Sequence, residues 1–155
     1  MRMITNNALA VVLLAIAAVF VPHEQPAHAE DAGATTASLY ERLGSWEGIQ
    51  QIVRDTIANH QENPAISHYF ADANAAELAG HVTAFFAAGT GGPSKYEGRD
   101  MTTTHATMGL SDADFDSAVA DVLLALDQNG IGDAEKAEVA NILESLRPAV
   151  MGTGG

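Results

Sequence analysis

Between Ser38 and Val150 apolar side chains recur every three or four positions, and nowhere do they alternate with polar ones over the length of a strand. That spacing follows the helical repeat and excludes a half-buried sheet. "SLYERLG" is a short helix ending at Gly44, and "SWEGIQQIVRDTIANH" is a longer one with Ser45 as its cap. The longer helix carries Ile49, Ile52, Val53, Thr56 and Ile57 on one face. Pro64 breaks the pattern in "ENPAISHYFAD". "NAAELAGHVTAFFAAG" resumes it, with Leu78, Val82, Phe85 and Gly89 on a stripe and Phe86 beside it. After the glycine-rich "TGGPSKYEG" comes "SDADFDSAVADVLLALDQNG", where Ser111 and Asp114 form a capping box. Phe115, Ala118, Val119, Val122 and Leu126 share its apolar face. The last helix starts at Asp133 and aligns Ala137, Ala140, Ile142, Leu143 and Leu146. Five clear helices and one short odd one make an all-α domain.

Ahead of that domain stands a different kind of segment. Arg2 is followed by an apolar run from Ala8 to Val21, and Ala27 and Ala29 have the small-residue spacing that a signal peptidase requires. The expected organisation is a signal peptide over 1–29, a disordered leader over 30–37, the domain over 38–150 and a flexible tail over 151–155. The run is short for a spanning helix, so cleavage is preferred to retention as an anchor. This makes the chain exported, periplasmic or secreted, with no stable membrane association after cleavage.

Removing residues 1–29 takes away one of 7 basic and one of 20 acidic residues, so the net charge stays at −13. Such a polyanion is repelled by nucleic acid and anionic lipid. The chain has no cysteine, which excludes disulfides, thiolate metal sites and a C-x-x-C-H haem attachment.

The odd helix lies in "GRDMTTTHATMG". With Asp100 as cap and Gly109 as terminator, Met101, His105 and Met108 fall at i, i+4 and i+7, on one face. Three β-branched threonines make the segment weakly helical by itself, so its order must come from whatever it docks against. A flat apolar ligand with a central metal would serve, methionines packing on the macrocycle and the imidazole binding iron. A core histidine hydrogen-bonded within a short packing helix fits the same spacing. The residues alone leave both readings open.

"LYERLGSWEGI", "ISHYFAD", "TGGPSKYEGRDM" and "THATMGL" resemble, in order and spacing, the group I truncated haemoglobins, and the likeness covers roughly Ser38 to Val150. The resemblance implies a two-over-two helical sandwich around a non-covalent b-type haem (iron protoporphyrin IX), with His105 as the proximal iron ligand. It also implies Phe70 as the haem-stacking phenylalanine and Phe85 with Phe86 as the distal aromatic pair. Tyr96, Gly98, Met101 and His105 follow the glycine-glycine connection as in that family, with Met101 expected to pack on the macrocycle. The final helix has no histidine, so a covalent histidine-to-vinyl link through it is not expected.

The distal side departs from the family. Ile57 stands where many members carry tyrosine, Thr56 stands where phenylalanine is usual, and Leu78 and Val82 occupy the positions facing iron. Ile57, Leu78 and Val82 donate no hydrogen bond. A hydrogen bond to the partly charged bound oxygen is worth about 1.5–3 kcal/mol, so its loss raises off-rates by about one to two powers of ten.

His81 lies on the pocket's rim, about 60° from Leu78 on the helical wheel. Some cyanobacterial members use a histidine at the matching place as a second axial ligand. That reading makes His81 a distal iron ligand, and a propionate contact or a solvated histidine is the alternative. His60, on the apolar face of the second helix, could line the distal cavity, although a histidine at a helix end more often bonds terminal carbonyls. His68 falls in the break between helices. Lys95 and Arg99 are either partners for the propionates or members of surface charge pairs.

These features point to a protein that binds oxygen, nitric oxide or carbon monoxide at ferrous haem, as in oxygen transport. Nitric oxide dioxygenase or peroxidase-like turnover, and electron transfer through a bis-histidine centre with a redox partner, are the competing readings. A cofactor-free helical module is a third. Outside the cytoplasm no NAD(P)H-linked pool re-reduces ferric haem, which favours ligand binding over sustained turnover.

Overall fold

A computed structural model describes residues 37–152. The expected signal peptide over 1–29, all of the expected leader but Ala37, and residues 153–155 of the expected tail lie outside the described residues. Six α-helices follow in order: α1 Leu39–Arg42, α2 Ser45–Glu62, α3 Ala75–Gly89, α4 Met101–His105, α5 Asp112–Gln128 and α6 Asp133–Val150, with a 3₁₀ turn at Ser67–Phe70. No strand occurs among the described residues. None of their helices is long and apolar enough to cross a membrane.

Local chemistry sets most of the helix starts. At α1, Ser38 and Glu41 cap each other, the Ser38 amide donating to Glu41 Oε2 at 2.8 Å and the Glu41 amide to Ser38 Oγ at 3.2 Å. Ser111 and Asp114 repeat this box at α5, at 2.9 and 3.2 Å. Asn74 caps α3 through the amides of Ala76 and Glu77. The start of α2 differs from the sequence expectation. Ser45 is the first helical residue, at φ 56°, and Gly44 at φ 86° is the cap, with no side-chain hydrogen bond. Two glycines make this entry: Gly44 supplies the left-handed turn, and a Cβ on Gly48 would sit 2.2 Å from the Leu43 carbonyl oxygen. A serine cap needs extended backbone, which this tight corner does not allow.

The central helix is α2, which packs against both α3 and α5, while α6 packs against α5 and α4. Leu39, Leu43, Ile49, Ile52, Val53, Phe86, Ala125, Leu126 and Val139 form the buried core where these elements meet. On α6 the deepest residue is Val139, whereas Ala137, expected inside, is exposed. The inner line therefore runs Val139, Ile142 or Leu143, then Leu146. On α5 the apolar face divides: Phe115 and Leu126 are buried, while Ala118, Val119 and Val122 are only half-buried. Those three face a cavity.

Ion pairs tie the elements at the surface. Arg42 of α1 reaches Glu135 and Glu138 of α6, at 2.8 and 2.7 Å, and Lys136 bridges Asp127 and Asp133. Arg147 engages Asp112, Asp116 and Glu144 and lies 4.1 Å from the centre of the Phe115 ring. These hydrogen-bonded partners raise the pKa of all three cations and lower those of Asp133, Glu135, Glu138 and Glu144. Exposed pairs of this kind contribute little stability each.

Candidate functional site

The cavity has a volume of about 310 Å³ and is walled by α2, the 3₁₀ turn, α3, α4, α5 and α6. Eight of the residues named from the sequence line it: Ile57 from α2, Phe70 from the turn, Leu78, His81, Val82 and Phe85 from α3, and Met101 and His105 from α4. Its walls are almost wholly apolar. Side chains with nitrogen donors or acceptors are confined to three histidines, His60, His81 and His105.

The four segments that carry the pocket residues are ordered by local devices. Asp100 caps α4 by accepting from the Thr103 amide at 2.7 Å and the Thr103 hydroxyl at 2.9 Å, while the Thr104 hydroxyl donates to the Asp100 carbonyl at 2.7 Å. The threonine run is therefore cap chemistry. The Thr103 amide, and after it the hydroxyl, hold the Asp100 carboxyl below its ordinary value. Upstream, Tyr96 meets Phe85 edge-on, with centroids 5.2 Å apart and planes at 85°, which ties the loop before α4 to α3. Gly98 permits this, since a Cβ there would lie 2.1 Å from the Tyr96 hydroxyl.

His105 is half-buried, and its Nδ1 lies 2.8 Å from the Met101 carbonyl oxygen. A carbonyl only accepts, so Nδ1 carries the proton and Nε2 bears the lone pair. The hydrogen bond stays within α4 and leaves Nε2 without a partner among the described residues, in a cavity-lining ring. His81 is exposed at the cavity's rim and makes no hydrogen bond among the described residues. Ile57, Leu78 and Val82 present hydrocarbon only, so these three positions offer no donor in the folded pocket, whose hydroxyls belong to Thr56, Tyr69, Tyr96 and Thr104.

His60 behaves differently from a helix-end histidine. It bonds no terminal carbonyl. Its Nδ1 lies 2.9 Å from Asp121 Oδ2, and its ring stacks on Phe70 with centroids 5.0 Å apart and planes at 24°. Asn63 Nδ2 donates to both Asp121 oxygens, at 3.0 and 2.9 Å, and lies 2.9 Å from Ser117 Oγ. Asp121 is a buried residue that the helical stripe of α5 does not single out. The signal was present, because it stands three residues from Ala118 and four from Ala125, on the inward side of α5. His68 is exposed, stacked beside Tyr69, and is not part of the cavity wall. Lys95 and Arg99 are exposed and enter no ion pair among the described residues, so the charge-pair alternative is not realised there.

The donor set decides what fits. No three metal-ligating side chains converge among the described residues, so this is no cage for a bare ion. A large apolar slot with single imidazoles on opposing elements suits a metal that already carries a planar set of ligands. A family model described as bacterial-like globin matches residues 38–151. The chain belongs to that globin family.

As a globin it is a haem protein that binds diatomic gases such as oxygen. The Group 1 truncated hemoglobin GlbN of Synechocystis sp. is 32% identical over 110 residues, spanning 68% of this chain and 89% of that protein. Truncated hemoglobin from Tetrahymena pyriformis, in its Fe(III) form, superposes with a TM-score of 0.71 at 25% identity, covering 74% of this chain and 98% of that one. The 2/2 hemoglobin of Synechococcus sp. PCC 7002, a cyanomet form with covalently attached heme, gives a TM-score of 0.70 at 24% identity, covering 75% and 99%. The architecture is thus the two-over-two globin sandwich.

Proposed function

We propose that this globin is an exported protein that reversibly binds oxygen, nitric oxide or carbon monoxide at a non-covalent b-type haem held by His105, with His81 filling the sixth position until a gas displaces it. When bound, the haem iron supplies the coordination site for the gas. The observation that carries the reading is the His105 hydrogen bond to the Met101 carbonyl at 2.8 Å, which commits Nδ1 to the backbone and reserves Nε2 for a metal. Met101, Phe70, Phe85, Leu78, Val82 and Ile57 supply the apolar walls that take up the macrocycle and exclude water. His81 suits the distal role because it stands at the rim with no competing partner.

Non-covalent retention is supported by the lack of cysteine in the chain and of histidine in α6. Export rests on the Ala8–Val21 apolar run and the small residues at Ala27 and Ala29. Lys95 and Arg99, free of ion pairs among the described residues, are the cations available to the haem propionates. A second reading, electron transfer with an exported redox partner, draws on the hydrocarbon side chains at Ile57, Leu78 and Val82, while peroxidase-like turnover draws on His81 as a distal acid-base when it is not bound to iron.

Optical spectra of the ferric and ferrous haem-loaded protein test this assignment, with His81→Ala and His105→Ala alongside. Wild type is expected to be six-coordinate low-spin in both states, and His81→Ala to be five-coordinate high-spin when ferrous. A ferrous wild-type protein that is already five-coordinate and high-spin refutes distal ligation. An unchanged proximal spectrum in His105→Ala refutes the whole assignment.

A further inference from the structure

His60 is only 8% exposed, as is Asp121, and the sequence separates them by the 3₁₀ turn, α3, α4 and the first half of α5. Burying a carboxylate is costly unless its oxygens are satisfied, and here three contacts from two residues satisfy it: His60 Nδ1 and the Asn63 amide at both oxygens. Asn63 is itself fixed, its Oδ1 accepting the Ala65 amide at 3.1 Å. A carboxylate accepts and does not donate, so the His60 proton sits on Nδ1 and the lone pair on Nε2. Among the described residues nothing bonds Nε2, yet it is not a sealed, orphaned atom, since the one such side-chain atom is Thr83 Oγ1. The ring that carries it is part of the cavity wall. An imidazole with a carboxylate behind it and an open nitrogen ahead of it is a general base, and the carboxylate stabilises the imidazolium that forms.

We propose that His60, oriented by Asp121, is a proton acceptor inside the haem cavity, and that it fits the site to small weak acids H–X such as hydrogen cyanide and hydrogen peroxide. In the step, the H–X bond breaks and its electron pair stays with X. The proton moves to His60 Nε2, giving imidazolium beside the Asp121 carboxylate, and the anion X⁻ remains in the cavity for the cofactor. No oxidant or reductant is needed. Gases without a proton gain nothing from the dyad. The inference rests on the cavity holding haem, and the choice of ligands separates the two ideas.

The test compares association of hydrogen cyanide and of nitric oxide with the ferric, haem-loaded protein. Both are measured in a His81→Leu background so that no second imidazole competes for iron or proton. His60→Leu is expected to slow hydrogen cyanide by about 100-fold, at the low end of general-base effects, and to leave nitric oxide within about twofold. Asp121→Asn, which keeps the ring but lets an amide compete for Nδ1, is expected to slow hydrogen cyanide alone as well. Equal slowing of both ligands would reduce His60 to packing, and no change in either would remove it from the chemistry. Both results overturn the inference. Loss of all binding in His81→Leu itself would instead sink the haem assignment. Independently of rates, ¹⁵N spectra of the carbonmonoxy wild-type protein are expected to show His60 as the Nδ1–H tautomer, and an Nε2–H ring there overturns the dyad.

Discussion

Two histidines of this globin have their Nδ1 atoms fixed in opposite ways. His105 leans on the carbonyl of Met101, one turn back in the same short helix, while His60 leans on Asp121, which is on a different helix and in the core. The first arrangement is local and survives small shifts of the fold. The second exists only when α2 and α5 are packed. The histidine proposed as the iron ligand thus stands on the sturdier device, and the one proposed as a proton acceptor on the device that reports tertiary structure.

Removing the local partner's beneficiary should produce the largest effect. His105→Ala is expected to abolish stable haem uptake, measured as the Soret absorbance retained after gel filtration, whereas His60→Leu should retain haem. Equal retention by both variants would erase the distinction. Next in size, a hydrogen-bond donor placed opposite the local histidine should show how little the distal wall now offers. Ile57→Tyr is expected to slow oxygen release by about one to two powers of ten, read by stopped-flow dissociation.

The non-local histidine is probed by Asp121→Ala, which leaves the His60 and Asn63 donors unsatisfied. It should lower unfolding free energy by about 1–3 kcal/mol in urea titrations of the haem-loaded protein. The smallest effect concerns the cap of α4. The Asp100 carboxyl is depressed from 3.8 by the Thr103 amide and hydroxyl. A depressed carboxyl stabilises the fold above its ordinary value, and that contribution is lost as pH falls through the folded-state value. Acid release of haem should therefore steepen below about pH 3.8, and Asp100→Asn, an equally good cap, should flatten that limb without changing retention at pH 7.

What was legible in the sequence follows the same division. Most helix spans, the Ser111–Asp114 box and the Asp100 cap are set by residues within a turn of each other, and the structure places them as expected; α4 is the exception, ending at His105 with Ala106 as its cap and not running on to Gly109. All eight pocket residues read from the chain line one cavity. Ser45 failed as a cap because the decisive contact, Gly48 against the Leu43 carbonyl, depends on chain direction, which composition does not encode. On α6 the stripe through Ile142, Leu143 and Leu146 faces inward as expected, but its start shifts from Ala137, a small residue indifferent to burial, to Val139, which reaches the core. His60 was visible on an apolar face, but its carboxylate partner lies across the interface between two helices. Periodicity marks Asp121 as an anomaly without naming what it meets.

The identity of the group behind His105 has an electronic consequence. A carbonyl bears no formal charge and tugs only gently on the Nδ1 proton, so the ring keeps the donor strength of ordinary imidazole and takes on little imidazolate character. A metal bound to it is not pushed toward high oxidation states, and the reduced form that captures neutral gases is favoured. The protein does own a buried carboxylate able to exert such a push. It has stationed that carboxylate behind the other histidine.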